Sequence, residues 1–135
     1  MSNEKRKRWS PTQVNFWFDL LIFVAALFAP AVMFTGLAIH EWLGIGLGLA
    51  VVVHLLLHWQ WIAQITRRFF ARTTWSARLN YVVNMAFFID LTVIIASGIM
   101  ISRVGLPFFG IELQTSGMAW RPLHTLAADA MVLIL

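Results

Sequence analysis

The chemistry available to this sequence rests on four histidines, His40, His54, His58 and His124, and all four lie in or at the ends of apolar runs. An ionisable ring in such surroundings costs roughly a few kcal/mol unless it has a partner or a purpose. The absence of cysteine removes iron–sulfur ligation, thiolate nucleophiles, disulfides and thioether-attached haem. Metal chemistry must then rest on imidazole, thioether and carboxylate. Taken singly, each histidine would serve as well for a helix-to-helix hydrogen bond as for ligation, and the spacing favours ligation. At about 100° per residue, His54 lies about 40° short of whole turns from His40, and His58 lies about five full turns from it. The three project from one helical face. His40 and His54 are also separated by about 21 Å along the axis, which is room for two stacked haems.

A haem needs a second axial ligand from a facing helix, and His124 is the candidate. It opens the last apolar segment, and if helices two and four start on the same side of a membrane, it shares a depth with His40. A further histidine about 14 residues beyond His124 would face His54 on the same reasoning. The sequence leaves open whether His54 or His58 is the inner ligand. Gly44 and Gly48 lie within about 80° of the His40 line and lack the side chains that would crowd a macrocycle. They fit a small-residue contact between helices equally well. Arg103 and Arg121 flank the outer position, where they are placed to pair with haem propionates or simply to face headgroups.

The elements that must position these residues follow from hydropathy. The chain is 60% apolar and 12% charged, with a mean hydropathy of +0.77, too little polar surface to enclose a water-soluble core. Four apolar segments, 16–38, 43–65, 82–101 and 123–135, predict an all-α integral membrane four-helix bundle made of two helical hairpins. The last segment stops short of the ~20 residues a span requires, and the expectation is that the fourth helix is incomplete in this sequence. A cleaved signal peptide fits less well, because the first apolar stretch is long and a second follows at once.

Eight of the ten basic residues fall in two clusters, Lys5, Arg6, Lys7, Arg8 and Arg67, Arg68, Arg72, Arg78. That distribution indicates membrane topology rather than nucleic-acid binding, and it places both clusters in the cytoplasm. The turn at His40 and Glu41 and the loop from Arg103 to Pro122 would then lie outside. Trp9-Ser10 with Asn15, and Trp75-Ser76 with Asn80, suggest an internal repeat, as do Thr35-Gly36 and Ser97-Gly98 late in the first and third helices. Asp19, Asp90 and Asp129 also fall in apolar segments. Asp90 is the deepest, and it suits either a proton relay or a hydrogen bond to a neighbouring helix. Asp19 reads as interfacial.

His40-Glu41-Trp42-Leu43-Gly44, His54-Leu55-Leu56-Leu57-His58-Trp59, Arg78-Leu79-Asn80-Tyr81 and Trp120-Arg121-Pro122-Leu123-His124 together resemble the flavinylation-associated membrane cytochromes. That family, formerly a domain family of unknown function, is similar in plan to the four-helix diheme cytochrome b subunits. The resemblance implies one or two b haems, with His40, His124 and either His54 or His58 as axial ligands. It also implies electron transfer between the quinone pool or another membrane donor and an extracytoplasmic partner, in a prokaryotic inner membrane. Quinone is an additional expected ligand, and a redox protein or larger membrane complex the expected partner. A haem-free accessory subunit of a larger complex is the alternative. A transporter built from two repeats would need broken helices at the midplane, for which Pro30 alone speaks.

Overall fold

The computed structural model describes residues 9–71, 73–113 and 117–134. Lys5, Arg6, Lys7, Arg8 and Arg72, much of the charge on which the sequence-based topology rests, lie outside the described residues, as does Leu135. The described residues form helices and connecting turns with no strand: α1 Pro11–Phe28, α2 Val32–Leu57, α3 Trp59–Phe69, α4 Trp75–Met100, α5 Gly105–Phe108 and α6 Gly117–Ile134. Among them, α1, α2 and α4 are long and apolar enough to cross a membrane. The fourth expected span, represented by α6, does not join that set, and α3 and α5 are additional short helices.

Helix starts are set by caps rather than by the onset of apolar residues. Ser10 and Gln13 form a reciprocal capping box, with Gln13 N–H donating to Ser10 Oγ at 3.3 Å and Ser10 N–H donating to Gln13 Oε1 at 3.0 Å. Pro11 occupies the first turn, where its missing N–H costs nothing. Thr74 likewise caps α4 by accepting from Ala77 N–H at 3.4 Å. These caps start α1 and α4 at residues 11 and 75 rather than at 16 and 82.

The first connection departs furthest from the expected course. The expected helix over 16–38 ends at Phe28, because Pro30 cannot donate to the ladder and Gly36 takes φ 79°, ψ 164°, a region essentially confined to glycine. The chain reverses over 29–36, and Thr35-Gly36 opens α2 instead of closing α1. His40 and Glu41, expected in a turn, therefore lie inside a helix. The proposed repeat holds only in part: Ser97-Gly98 does lie late in α4, but its counterpart Thr35-Gly36 belongs to α2, and Thr74, not Ser76, is the cap matching Ser10. The helix expected over 43–65 is divided at His58, where α2 gives way to the amphipathic α3.

Contacts between Ala29 and His40 and between Asp19 and His54 show α1 and α2 running antiparallel. α4 packs most extensively on α6 and more lightly on α2. Among the described residues, Leu47, Leu91 and Ala127 are the buried hydrophobic side chains, one from each of these three helices, and they mark the line along which the helices meet.

Candidate functional site

Two clusters of ionisable side chains occupy opposite ends of α2. At the first, the imidazoles of His40 and His124 stand with ring centres 6.0 Å apart and planes at 82°. Each is fixed through Nδ1. The break after Phe28 leaves the Ala29 carbonyl with no backbone N–H among the described residues, and His40 Nδ1–H donates to it at 2.8 Å. His124 Nδ1–H donates to the Ile94 carbonyl at 2.9 Å, with Ser97 Oγ 3.2 Å away. Ser97 is fully buried and its hydroxyl also donates to the Val93 carbonyl at 2.5 Å. With Nδ1 as the donor, Nε2 carries the lone pair. Neither Nε2 has a hydrogen-bond partner among the described residues.

Both rings line a cavity of about 530 Å³ bounded by α1, α2, α4 and α6, within the range usual for cofactor sites. Gly44, Arg103 and Arg121 line it too, together with apolar residues such as Leu47, Leu91 and Ile95. The two glycines singled out from the sequence part company here. A Cβ at Gly44 would meet nothing within 4 Å, whereas one at Gly48 would lie 3.3 Å from Ile95 Cγ2. Gly44 leaves space in the cavity; Gly48 is where α2 packs on α4. Gly98 has a role that spacing did not reveal, because a Cβ there would lie 3.2 Å from His124 Cε1. Its small size admits the imidazole to the α4 backbone.

Glu41 closes this end of the molecule. Its carboxylate accepts from Ser102 Oγ at 2.7 Å and from the backbone N–H groups of Arg103, Val104 and Gly105, each at 2.9 Å. A helix residue thereby holds the segment after α4 and, with it, Arg103 at the rim of the cavity. Trp42, from the next position, stacks edge-on against Phe108 and Phe109 at 5.3 and 5.8 Å. This connection appeared in the sequence only as an outer loop.

The second cluster joins His54 and His58 to Asp19 of α1. His54 Nδ1 is 2.8 Å from Asp19 Oδ1, His58 Nε2 is 3.2 Å from Asp19 Oδ2, and the two rings are 4.6 Å apart. The contact to His58 is close enough for an ion pair but is not aligned as a hydrogen bond, and Nε2 is shielded from solvent. Asp19, read from the sequence as interfacial, is therefore the partner of both histidines. The i, i+4 spacing of His54 and His58 is the signal that a third group would face them. Neither His54, His58 nor Gly48 lines the cavity at His40. Asp90, read from the sequence as either a proton relay or a hydrogen-bonding residue, has its Oδ2 shielded and unpartnered among the described residues.

No family model matches the chain, and no curated protein or solved structure matches it.

Proposed function

We propose that this chain is a membrane cytochrome of b type, with one haem held between His40 and His124. The carrying observation is the geometry of that pair. Two imidazoles on opposite sides of one iron, at metal–nitrogen distances of about 2 Å, have ring centres about 6 Å apart, and these rings are at 6.0 Å. The Nδ1 contacts support the same reading, since histidine ligands characteristically donate their other ring N–H to a carbonyl or carboxylate. Gly44 leaves the cavity open, and Arg103 and Arg121 supply the cations that a pair of propionates needs.

Haem supplies a one-electron couple, and what remains for the protein is to hold and tune it. His40 and His124 would hold the haem, and the apolar walls would limit access of water to it. Arg103 and Arg121, on the cavity lining, would balance the charge of its propionates. With α1, α2 and α4 spanning the membrane and the basic clusters inside, the site lies near the outer face. That position suits exchange of electrons between the quinone pool, or another membrane donor, and an extracytoplasmic partner.

The test is a reduced-minus-oxidised spectrum with pyridine haemochrome quantitation on the purified protein, beside His40→Ala, His124→Ala and His54→Ala. One b haem per chain, lost or made high-spin in the first two variants and kept in the third, is expected. Folded protein without haem would overturn the proposal and leave the accessory membrane subunit as the better account.

A further inference from the structure

We propose that Asp19, His54 and His58 form a non-haem site for one divalent transition-metal ion, of which zinc is the representative. The proposal stands independently of the haem. His54 and His58 come from successive turns of one helix, so both rings leave α2 on the same face, and Asp19 enters from α1 opposite them. The three donor atoms all lie within 4.8 Å of one another. The shortest separations, from His54 and His58 to the carboxylate, are 2.8 and 3.2 Å. A tetrahedral ion with bonds of about 2.0–2.1 Å holds its donors about 3.4 Å apart, so small side-chain movements suffice to seat one.

The donor set selects the metal class. Two imidazole nitrogens and one carboxylate suit borderline divalent ions such as Zn²⁺, Co²⁺ and Ni²⁺ and disfavour Ca²⁺ or Mg²⁺, which take oxygen. Three protein ligands leave at least one coordination position for water or another small ligand. The group is not sealed by the protein itself, with 37% of the His54 and Asp19 side chains and 29% of the His58 side chain left uncovered by other residues.

The state of His58 favours a metal over a hydrogen-bonded triad. Asp19 satisfies His54 with one oxygen and approaches His58 with the other, yet His58 Nε2 is left shielded from solvent and without a hydrogen bond. A cation between the groups takes that lone pair without requiring an in-line proton. Ligation of one haem by both rings is ruled out by geometry, because adjacent turns of one helix place them side by side at 4.6 Å rather than on opposite faces of a macrocycle.

The experiment is equilibrium dialysis of the purified full chain against ZnCl₂ after chelator treatment, with zinc and haem measured separately and circular dichroism checking the fold. Wild type should take up one zinc per chain, with two imidazoles and a carboxylate oxygen near 2 Å in its X-ray absorption shell. Asp19→Asn and His58→Gln, the milder pair, should each weaken uptake about 100-fold or more, as should His54→Ala. His40→Ala and His124→Ala should bind zinc like wild type whatever happens to their haem. Equal zinc uptake by wild type and by folded Asp19→Asn would overturn the proposal. So would loss of haem from His54→Ala with zinc uptake unchanged, which would make His54 a haem ligand instead.

Discussion

The imidazoles of His40 and His124 face one cavity with ring centres 6.0 Å apart, and each is anchored by its Nδ1 to a backbone carbonyl. The two anchors differ in origin. Ala29 offers a carbonyl released by the helix break, while Ile94 offers one from within the intact α4. Backbone anchors hold ring orientation more firmly than exposed side-chain partners would, and that orientation leaves both Nε2 atoms available.

Because the two rings form one pair, either substitution should act on the same haem. His124→Ala or His40→Ala should lower haem affinity by more than about 100-fold, beyond what loss of a partner around a ligand costs, and the double variant should carry none. Haem-to-protein ratio after purification, with the Soret position reporting spin state, checks this. Retention of low-spin haem by the double variant would place the haem elsewhere.

The glycines give a sharper separation. Gly44→Leu projects into open cavity, so it should fold normally, gaining up to about 1 kcal/mol of helix propensity, while excluding haem. Gly48→Ala meets Ile95 at 3.3 Å. Crowding of about 1–3 kcal/mol is there offset by about 1 kcal/mol of propensity, and haem content should stay at wild type. Gly98→Ala should leave stability nearly unchanged yet weaken haem binding about 10–100-fold, because its Cβ displaces the ring that donates to Ile94. Haem titration alongside thermal melting in detergent distinguishes the three.

The candidate histidines stood out in the sequence because histidine in an apolar run is costly, and because His40, His54 and His58 keep one helical phase. It left Gly44 and Gly48 equivalent, since spacing on α2 says nothing about which residue of α4 lies opposite. Hydropathy located the end of α4 but not its capped start, and it carried α1 ten residues too far, for the run 16–38 is apolar throughout and only Pro30 and Gly36 mark the reversal. Asp19 and Glu41 were visible as residues and not as partners. Each acts on groups remote in sequence, His54 thirty-five positions on and Ser102 sixty-one, and those pairings exist only once the helices have packed.

The reversal at Gly36 carries its own prediction. At φ 79°, ψ 164° any side chain is strained whatever the surrounding space, and nothing lies within 4 Å of the position its Cβ would occupy. Gly36→Ala should therefore lose about 1–3 kcal/mol through backbone conformation alone. The same substitution at Gly44, helical and equally open, should lose nothing. A lower melting temperature for Gly36→Ala only, with helix content preserved, is the expected result.

Glu41 tests whether the outer connection is held from within a helix. Its carboxylate accepts one hydroxyl and three backbone N–H groups from Ser102 to Gly105, and hydrogen bonds to a charged acceptor contribute about 1.5–3 kcal/mol each without adding fully. Glu41→Ala should lower stability by about 3 kcal/mol. Glu41→Gln, which keeps one acceptor oxygen but replaces the other with an NH₂ facing N–H donors, should lose nearly as much. Both variants should also become sensitive to protease between residues 102 and 110, because the Trp42 stacking on Phe108 and Phe109 is then the main remaining restraint. Loss of Arg103 from the cavity rim should weaken haem binding less than either histidine variant does. Unchanged melting and unchanged cleavage in Glu41→Ala would mean that the aromatic stack alone holds this end of the molecule closed.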